Sequence, residues 1–540
     1  MSLQYLIATN ASTMPEPLLD SKQKKTYLYI TVFFSGLTSL AVEMASSRLL
    51  GNVFGTSNLV WASIIGLILI YLTLGYFIGG KWADRSPNYQ TFYKILIWAA
   101  LMIGIVPVIS KPVLSLAANA FDQLQLGILF SSFLSVLILL IVPVTLLGTT
   151  SPFAIRLAVK DAQEIGSTSG RIYAISTLGS FIGTFVPVLL LIPLIGTYRT
   201  FVTFSAILLV TALIGLWKTA GWRATLPYLW MPVLVIALFI WGVKGAEKAT
   251  SGQVYETESA YNYIQVLEQN GVFILRLNEG QGVHSVYSPT QLDFKGPWEQ
   301  VSVAPFFNAA PYDLSRVKKM AIVGLAAGTS AREATAIYGP IPIDGFEIDP
   351  KIVAVGRKYF DMNEPNLNVI VQDGRWGLAH STGRYQVISI DAYRPPYIPT
   401  QLTTQEFFEI VRQHLTDDGV VVMNVGRAPG DRRLINTLGS TLLTVFPSVH
   451  VMDVPNSFNS ILYATVQPTQ DSNLALNLDY LSHQGNVNPL LLASMRLALT
   501  NLQPPPSPDT VFTDDLAPIE WITNNMVLRF LITENVEVLR

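Results

Sequence analysis

Long apolar runs dominate residues 27–245 of the chain, and shorter, mixed patterns follow them. A run of roughly 18 or more apolar residues with few charges is typical of a helix that spans a lipid bilayer. The candidates, about seven by this criterion, lie at 27–50, 57–79, 92–110, 126–148, 172–194, 198–217 and 226–244. The pattern predicts an N-terminal polytopic α-helical membrane domain with the lipid bilayer as its partner.

The second half of the chain has patterns of β-structure. Residues 254–286 alternate between apolar and polar positions around Asn270-Gly271, which is a strong hairpin signal. Four apolar, β-branched runs then end in glycine or an acidic residue, as buried parallel strands do where they meet a ligand. These runs end near Gly324, Glu347, Asp373 and Asp391. A parallel sheet with one crevice at these strand ends is predicted.

Composition agrees with this division. Hydrophobic residues make up 50% of the chain, charged residues 13%, and the mean hydropathy is +0.40. The charge density of a globular domain returns only after residue 250, so a boundary is expected between residues 244 and 252. The net charge of −2, without a basic cluster, argues against a nucleic-acid partner. The chain has no cysteine and its five histidines lack ligand spacing, so no metal site is expected.

The strand ends predict a nucleoside site. Gly324 and Gly328 allow a tight turn into a helix beginning near Thr329, whose free N–H groups favour a polar or anionic ligand group. Glu347 follows the glycines by about twenty residues, the spacing at which a carboxylate binds ribose hydroxyls. Asp373, followed by Gly374, would accept from an adenine amino group, and Asp391 lies deepest in the crevice.

Helix capping is the alternative explanation for these carboxylates. Asp349-Pro350 has the pattern of an N-cap followed by the first helical residue, and both interpretations stay open for Asp349. Thr403 with Glu406 is predicted to form a capping box that opens a helix to about Leu415. Asp514, Asp515 and Glu520 are expected to be solvated cap residues, with a role at the mouth of the site as the alternative.

The order of these motifs resembles the spermidine synthase (polyamine aminopropyltransferase) family, in the subgroup fused to an N-terminal multi-spanning membrane region. The motifs, which cover roughly residues 255–465, are Gly-x-Ala-x-Gly (324–328), Glu-Ile-Asp-Pro (347–350), Gln-Asp-Gly-Arg (372–375), Ile-Asp-Ala-Tyr (390–393), Leu-Thr-Thr-Gln-Glu-Phe-Phe (402–408) and Gly-Val-Val-Val-Met-Asn-Val (419–425). The resemblance implies a Rossmann-like, methyltransferase-type α/β domain preceded by a small β-region. It also implies a decarboxylated S-adenosylmethionine type of cofactor, bound by Gly324, Ala326, Gly328, Glu347, Asp373 and Gly374.

By the same resemblance, Asp391 is the catalytic residue nearest the attacking amine, and Tyr261 and Gln265 fall in a stretch that helps to close the site. Three departures from the family's pattern bear on the substrate. Ala327 replaces an acidic residue of the glycine loop, Arg394 replaces the second acid of an Asp-x-x-Asp loop, and Trp298-Glu-Gln300 replaces Tyr-Gln-Glu. The predicted substrate residues are Tyr261, Gln265, Glu299, Tyr393 and Arg394, and the acceptor stays open.

The predicted function is that of a membrane-anchored transferase that moves an aminopropyl group from decarboxylated S-adenosylmethionine to a small amine. The first alternative is an S-adenosylmethionine-dependent methyltransferase, in which Arg394 pairs with the carboxylate that the cofactor retains. The second alternative is a transporter or sensor with a catalytically inactive nucleoside-binding domain. A homodimer is an open option.

Two observations in the membrane region motivate the second alternative. Glu43 is a candidate functional residue because a charge inside a span is costly unless it is paired or faces a cavity. Arg48 follows it near the helix end, so the two side chains could equally neutralise one another or reach the membrane surface. The sequence Gly-Gly-Lys-Trp-Ala-Asp-Arg (79–85) resembles a transporter-type loop.

The distribution of lysine and arginine predicts the sidedness of the chain. Lys22, Lys24 and Lys25 precede the first run without a cleavage-site pattern, so the run is an anchor in the plasma (inner) membrane with a cytoplasmic N-terminus. Seven crossings would put the enzyme domain outside, away from cytoplasmic adenosyl cofactors. We therefore expect a cytoplasmic enzyme domain and an even number of crossings, with the run at 92–110 or 226–244 re-entrant or interfacial. Pro107 ends the first of these runs, and Pro227 and Pro232 interrupt the second.

The expected domain organisation follows from these boundaries. It consists of a polar N-terminal segment (1–26), a transmembrane domain (27–249), a small β-region (250–310), a Rossmann-like cofactor-binding domain (311–466) and a C-terminal extension (467–540).

Overall fold

The computed structural model describes residues 21–54, 58–124, 128–159, 161–241, 250–278, 282–393, 397–428 and 430–533. The chain divides into two compact units, Met1–Glu247 and Lys248–Arg540.

The first unit is helical. Its α-helices are α1 (Ser21–Phe54), α2 (Asn58–Arg85), α3 (Tyr89–Leu124), α4 (Ile128–Gly148), α5 (Thr150–Ala158), α6 (Ile165–Val186), α7 (Ile192–Ile195), α8 (Thr197–Ala220), α9 (Trp222–Thr225) and α10 (Trp230–Ile240). Short 3-10 turns at Ala162–Glu164 and Leu226–Tyr228 and a π-helical turn at Pro187–Leu191 connect some of them.

Seven helical stretches of the described chain are long and apolar enough to cross a membrane, as the apolar runs predict. They are Lys22–Gly51, Val60–Arg85, Tyr89–Leu114, Leu134–Ala158, Ile165–Ile195, Thr197–Ala220 and Trp222–Ile240. Large apolar side chains such as Phe77, Leu189 and Leu194 are 70%, 71% and 70% exposed on this unit, a surface that suits lipid better than water. Parts of three predicted runs, residues 57, 126–127 and 242–244, lie outside the described residues.

The two runs expected to be irregular differ in the structure. The run at 92–110 belongs to α3, which continues through Pro107 and Pro112. The run at 226–244 begins with the 3-10 turn that contains Pro227. Pro232 lies in the first turn of α10, where a backbone N–H would have no partner within the helix, so proline breaks no helical hydrogen bond. Whether either run fails to cross the bilayer stays a prediction.

Helices α1 and α6 approach closely through small residues. A Cβ atom on Gly179 would lie 2.1 Å from the carbonyl oxygen of Phe33, so only glycine allows this contact. Ser180 Oγ donates to the Gly36 carbonyl across the same interface at 3.1 Å. Glu43 and Arg48 both lie on α1 with partly buried side chains, and their role stays a prediction.

The second unit begins with a four-stranded antiparallel sheet. Its strands pair in chain order as β1 (Gln253–Glu258), β2 (Tyr263–Gln269), β3 (Val272–Leu277) and β4 (Val283–Tyr287). Asn270 and Gly271 connect β2 to β3 with φ angles of 54° and 78°, so the predicted hairpin is confirmed.

The large sheet has eight strands in the described residues. They are β5 (Met320–Val323), β6 (Ile343–Glu347), β7 (Leu367–Val371), β8 (Tyr385–Ile390), β9 (Leu415–Gly426), β10 (Ser448–Asp453), β11 (Asn459–Thr465) and β12 (Leu502–Gln503). The spatial order is β12-β10-β11-β9-β8-β5-β6-β7, with parallel pairing from β7 to β9 and antiparallel pairing beyond β9. The predicted Rossmann-like, methyltransferase-type sheet is confirmed. Its strand order reverses between β5 and β8, where doubly wound sheets bind their ligands.

Helices cover both faces of this sheet. They are α11 (Thr329–Tyr338), α12 (Pro350–Tyr359), α13 (Gly374–Ala379), α14 (Gln405–His414), α15 (Arg433–Leu443), α16 (Ser472–Ser482), α17 (Pro489–Thr500) and α18 (Ile519–Thr533), with 3-10 segments at Glu299–Phe307, Leu314–Arg316 and Thr400–Leu402. Met320 and Ile322 pack in one core, and Ala321 and Val323 in the other, because successive strand residues point to opposite faces.

Residues beyond 466 contribute to both of these cores. Leu491 and Met495 of α17 are fully buried with the first core, and Phe512 is fully buried with the second. The short strand β12 also pairs with β10 at the sheet edge.

The capping box predicted at Thr403 and Glu406 is wrong. The N-cap of α14 is Thr404, whose Oγ1 accepts from the Phe407 amide at 3.3 Å, while the Thr403 hydroxyl donates to the Thr400 carbonyl. Glu406 accepts from the amide of Asp514 instead of the cap residue. By local sequence alone, Thr403 and Thr404 could each cap the helix. In the structure Thr404 is the cap, and its hydroxyl also donates to the distant Asp514.

Candidate active site

The glycine loop between β5 and α11 is tightly curved. Gly324, Ala326 and Gly328 have φ angles of 89°, 49° and 86°. A Cβ atom on Gly324 would lie 2.5 Å from the carbonyl oxygen of Asp391, so this glycine lets the loop touch the end of β8. The loop and Asp391 therefore meet at the point where the strand order reverses.

The small sheet holds the same loop from outside. Ser285 of β4 accepts from the Ala327 amide at 2.9 Å, and Thr329 Oγ1 accepts from the Val286 amide at 2.9 Å and donates to the Val286 carbonyl at 2.8 Å. The predicted β-region thus fixes the start of α11, whose first backbone N–H groups have no partner within the helix.

Glu347 closes β6 beneath the loop. Its Oε2 accepts from the Ala326 amide and its Oε1 accepts from the Asp349 amide, each at 3.0 Å. The side chain is buried, and burial raises the pKa of its carboxyl to about 7. Carboxylate oxygens have further lone pairs for ligand hydroxyls.

For Asp349 the structure shows the helix-cap role, and contact with a ligand stays a prediction. Its Oδ1 accepts from the Lys351 amide at 2.9 Å, as expected of an N-cap before Pro350. Its Oδ2 accepts from Ser259 Oγ at 2.5 Å and from Asn262 Nδ2 at 3.0 Å, which ties the β1–β2 turn to the end of β6. Sequence reasoning missed Ser259 and Asn262, because no local pattern pairs them with a carboxylate almost 90 residues away.

Asp373 and Gly374 follow β7 at the other side of the crevice. Asp373 Oδ1 accepts from the Trp376 amide at 3.0 Å and so caps α13, and its side chain remains partly exposed. A Cβ atom on Gly374 would lie 2.5 Å from Val323 Cγ1, so this glycine allows α13 to approach β5. Asp373 is therefore a helix cap, and its contact with adenine stays a prediction.

Asp391 lies beside Asn424 and Tyr393. Its Oδ1 accepts from Asn424 Nδ2 at 2.9 Å, and burial raises the pKa of its carboxyl to about 6. The Tyr393 hydroxyl donates to the Asn424 carbonyl at 3.2 Å and accepts from the Gly426 amide at 2.5 Å, which joins the end of β8 to β9. Within the described chain, the buried Asn424 Oδ1 accepts no hydrogen bond.

The remaining predicted substrate residues are dispersed. Tyr261 is 40% exposed in the turn held by Asp349, whereas Gln265 is buried in β2, where its Nε2 donates to Gln253 Oε1 at 2.6 Å. Both oxygens of Glu299 accept backbone amides, from Phe294 at 2.5 Å and from Gly296 at 2.9 Å. Arg394 lies outside the described residues. Of this group, the structure brings Tyr393 together with Asp391.

Comparison with known proteins shows what this part of the chain is similar to. The family model of the spermine/spermidine synthase domain matches residues 306–473. A probable polyamine aminopropyl transferase of Bifidobacterium longum is 34% identical over 280 residues, which cover 49% of this chain and 61% of the relative. A polyamine aminopropyltransferase of Vibrio vulnificus is 26% identical over 41% of this chain and 75% of its own length.

Among solved structures, a probable spermidine synthase from Corynebacterium glutamicum superposes with a TM-score of 0.38 and 19% identity over 50% of this chain and 99% of its own length. The match to the Bifidobacterium relative spans less than two thirds of that protein. The resemblance inferred from the motifs is confirmed, and the C-terminal part of the chain contains a spermine/spermidine synthase domain related to the polyamine aminopropyltransferases.

Proposed function

We propose that the protein is a membrane-anchored transferase that moves an aminopropyl group from decarboxylated S-adenosylmethionine to a small amine. The observation that carries the proposal is the position of Asp391. Asp391 follows β8 at the point where the strand order of the sheet reverses, in the part of the chain that matches the spermine/spermidine synthase domain. Its backbone carbonyl lies against Gly324 of the glycine loop.

The residues around the crevice fit a nucleoside. Gly324 and Gly328, both with positive φ angles, let the loop turn tightly into α11, and the first turn of this helix has backbone donors without an intrahelical partner. Glu347, already oriented by two backbone amides, would accept from the ribose hydroxyls. Asp373 would accept from the adenine amino group, and bound decarboxylated S-adenosylmethionine supplies an electrophilic carbon next to its sulfonium.

Asp391 would orient the attacking amine and accept its proton. The amine nitrogen forms a bond to the carbon next to the sulfonium, and the carbon–sulfur bond breaks with its electron pair moving to sulfur. The products are methylthioadenosine and an aminopropylated amine, while the proton of the nitrogen passes to Asp391 Oδ. Asn424 Nδ2 fixes the carboxylate, so orientation requires little reorganisation when the amine binds.

The acceptor is expected to differ from a simple diamine, because this chain departs from the pattern of the resembling family at residues that bear on the substrate. Ala327 and Arg394 stand where the resembling family has acidic residues, so neither supplies a negative charge to an amine. A dicationic substrate would therefore have fewer opposite charges within reach than in the resembling family. An amine with one positive charge is the acceptor class that this pocket favours.

The purified full-length protein tests the proposal in three reactions. One contains decarboxylated S-adenosylmethionine with putrescine, one contains the same cofactor with a monoamine, and one contains S-adenosylmethionine with both amines. Methylthioadenosine in either of the first two reactions supports aminopropyl transfer. S-adenosylhomocysteine in the third, without methylthioadenosine in the others, would replace the proposal with methyl transfer.

A further inference from the structure

The segment at 510–516 joins two loops of the proposed site through one carboxylate. The Arg375 guanidinium donates to Asp514 in a bidentate pair, from Nη1 to Oδ1 and from Nη2 to Oδ2, each at 2.6 Å. The Thr404 hydroxyl donates to the same Oδ1 at 2.7 Å. Arg375 lies two residues after Asp373, and Thr404 follows Asp391 along the chain, so Asp514 connects the cofactor side with the acceptor side.

Backbone contacts reinforce this connection. The Gln405 amide donates to the Phe512 carbonyl at 2.9 Å, and the Asp514 amide donates to Glu406 Oε2 at 2.9 Å. Phe512 is fully buried, and its amide donates to Thr441 Oγ1 at 3.0 Å. The segment is therefore anchored in the core on one side and bound to the N-terminus of α14 on the other.

A second contact comes from α18. The Tyr397 hydroxyl donates to Asn524 Oδ1 at 2.5 Å. Residues 397–404, which we name the acceptor loop because they follow Asp391, are thus held at both ends by residues from the C-terminal part of the chain, namely Asp514 and Asn524.

Exposure alone would argue for a weak ion pair, since the Arg375 and Asp514 side chains are 22% and 44% exposed. The arrangement differs from an isolated surface pair in two respects. Its geometry is bidentate, and the carboxylate also receives the hydroxyl that caps α14. Removing the charge would weaken the bonds of Arg375 and Thr404 to this carboxylate together, and would leave the bond from Arg375 Nη1 to the Gln401 carbonyl at 3.2 Å.

We propose that Asp514 is a positioning residue that holds the acceptor loop against the cofactor side of the site. It contacts no reacting atom in this role. It preorganises the chain that follows Asp391, so that the amine binds in the orientation for attack. The contacts of Asp514 with Arg375 and Thr404 favour the alternative of a role at the mouth of the site over that of a solvated cap residue. The catalytic consequence of this role rests on the proposed transferase function.

Hydrogen–deuterium exchange of the full-length protein tests this without any activity measurement. In Asp514→Asn, exchange of the amides in residues 397–407 should be about tenfold faster, because charge-assisted bonds are replaced by weaker ones. Asp515→Asn is the matched control, since Asp515 is the exposed neighbour, and it should leave exchange unchanged. Arg375→Lys keeps the charge but loses the planar fork, so it should give an intermediate effect in the same residues.

Kinetics add a second readout once a substrate pair is found. Asp514→Asn should raise KM for the amine several-fold, while affinity for methylthioadenosine stays within about twofold of the wild type. Unchanged exchange in both Asp514→Asn and Arg375→Lys would overturn the proposal, as would an increase spread evenly over residues 250–533. Faster exchange confined to residues 397–407, in a protein without transferase activity, would support the positioning role of Asp514. That result would count against the proposed transferase function only.

Discussion

Asp391 is costly to the fold in its ionised form. Its pKa of about 6 lies above the ordinary aspartate value, so the folded state holds the proton more tightly than the unfolded chain does. The resulting stability is complete below the unfolded pKa of about 4 and is lost as the pH rises through about 6.

Asp391→Asn should therefore raise the apparent melting temperature at pH 7.5, by the equivalent of about 1 to 3 kcal/mol, and change it little at pH 4. The amide oxygen of the introduced asparagine can still accept from Asn424, so the hydrogen bond is kept. Asp479→Asn, at an exposed position, is the control that should show no such pH dependence. Equal melting temperatures for wild type and Asp391→Asn at both pH values would contradict a buried Asp391 carboxyl with a raised pKa.

Glu347 predicts a pH-dependent affinity for the nucleoside. Its pKa is raised to about 7, and ribose hydroxyls donate to the ionised carboxylate, so binding should favour loss of its proton. Affinity for methylthioadenosine should fall up to about tenfold for each pH unit below 7, with proton release on binding near neutral pH. Calorimetry in two buffers of different ionisation enthalpy measures both quantities.

Glu347→Gln provides the comparison for this prediction. The amide cannot ionise, so its weaker binding should vary little between pH 6 and 8. Wild-type affinity that is constant over the same range would show that Glu347 does not change its protonation when the nucleoside binds.

At the level of elements, β4 should stabilise the glycine loop. Ser285→Ala removes the acceptor of the buried Ala327 amide, at an expected cost of about 1 to 3 kcal/mol, and should weaken methylthioadenosine binding. Ser288→Ala is a matched control, because Ser288 is similarly buried but its hydroxyl contacts Thr290. Thermal unfolding and equilibrium binding check the two effects. Equal losses of affinity in both variants would show that the contact with the loop has no special role.

Local patterns predicted the elements whose causes are local. The Asn270-Gly271 hairpin, the cap at Asp349 before Pro350 and the tight turn at Gly324 each depend on backbone preferences of neighbouring residues. The strand ends that carry Glu347, Asp373 and Asp391 could be located because parallel strands have a recognisable apolar pattern.

Contacts between distant residues could not be predicted in this way. Asn424 lies 33 residues from Asp391, and Asp514 lies 139 residues from Arg375, so neither pair leaves a periodic signal. The incorrect capping box at Thr403 has the same origin. The local sequence does not distinguish the hydroxyls of Thr403 and Thr404 as caps, and it carries no information on the long-range contact of Thr404 with Asp514.

For the whole molecule, sidedness is the main prediction. Adenosyl cofactors are expected in the cytoplasm, so residues 250–540 should lie on the same side of the membrane as Lys22 and Lys25, although seven helical stretches are long enough to cross it. Single cysteines at Ser21 and Ser251 of this cysteine-free chain can be labelled in intact cells with an impermeant maleimide.

Neither cysteine should react with the maleimide in intact cells. Labelling after the cells are permeabilised is the positive control for each variant. Labelling of Ser251→Cys in intact cells, without labelling of Ser21→Cys, would put the enzyme domain outside. The cytoplasmic transferase function would then have to be abandoned.

The most direct measurement of the central claim is a single turnover with enzyme in excess over decarboxylated S-adenosylmethionine, in wild type, Asp391→Asn and Glu347→Ala. With an amine acceptor, wild type should form methylthioadenosine together with an aminopropylated product of matching amount. Asp391→Asn should bind methylthioadenosine but turn over at least about a hundredfold more slowly, the usual size of a general-base effect, and Glu347→Ala should lose binding. Wild-type binding without product, or equal rates in wild type and Asp391→Asn, would contradict the assignment of aminopropyl transfer to this site.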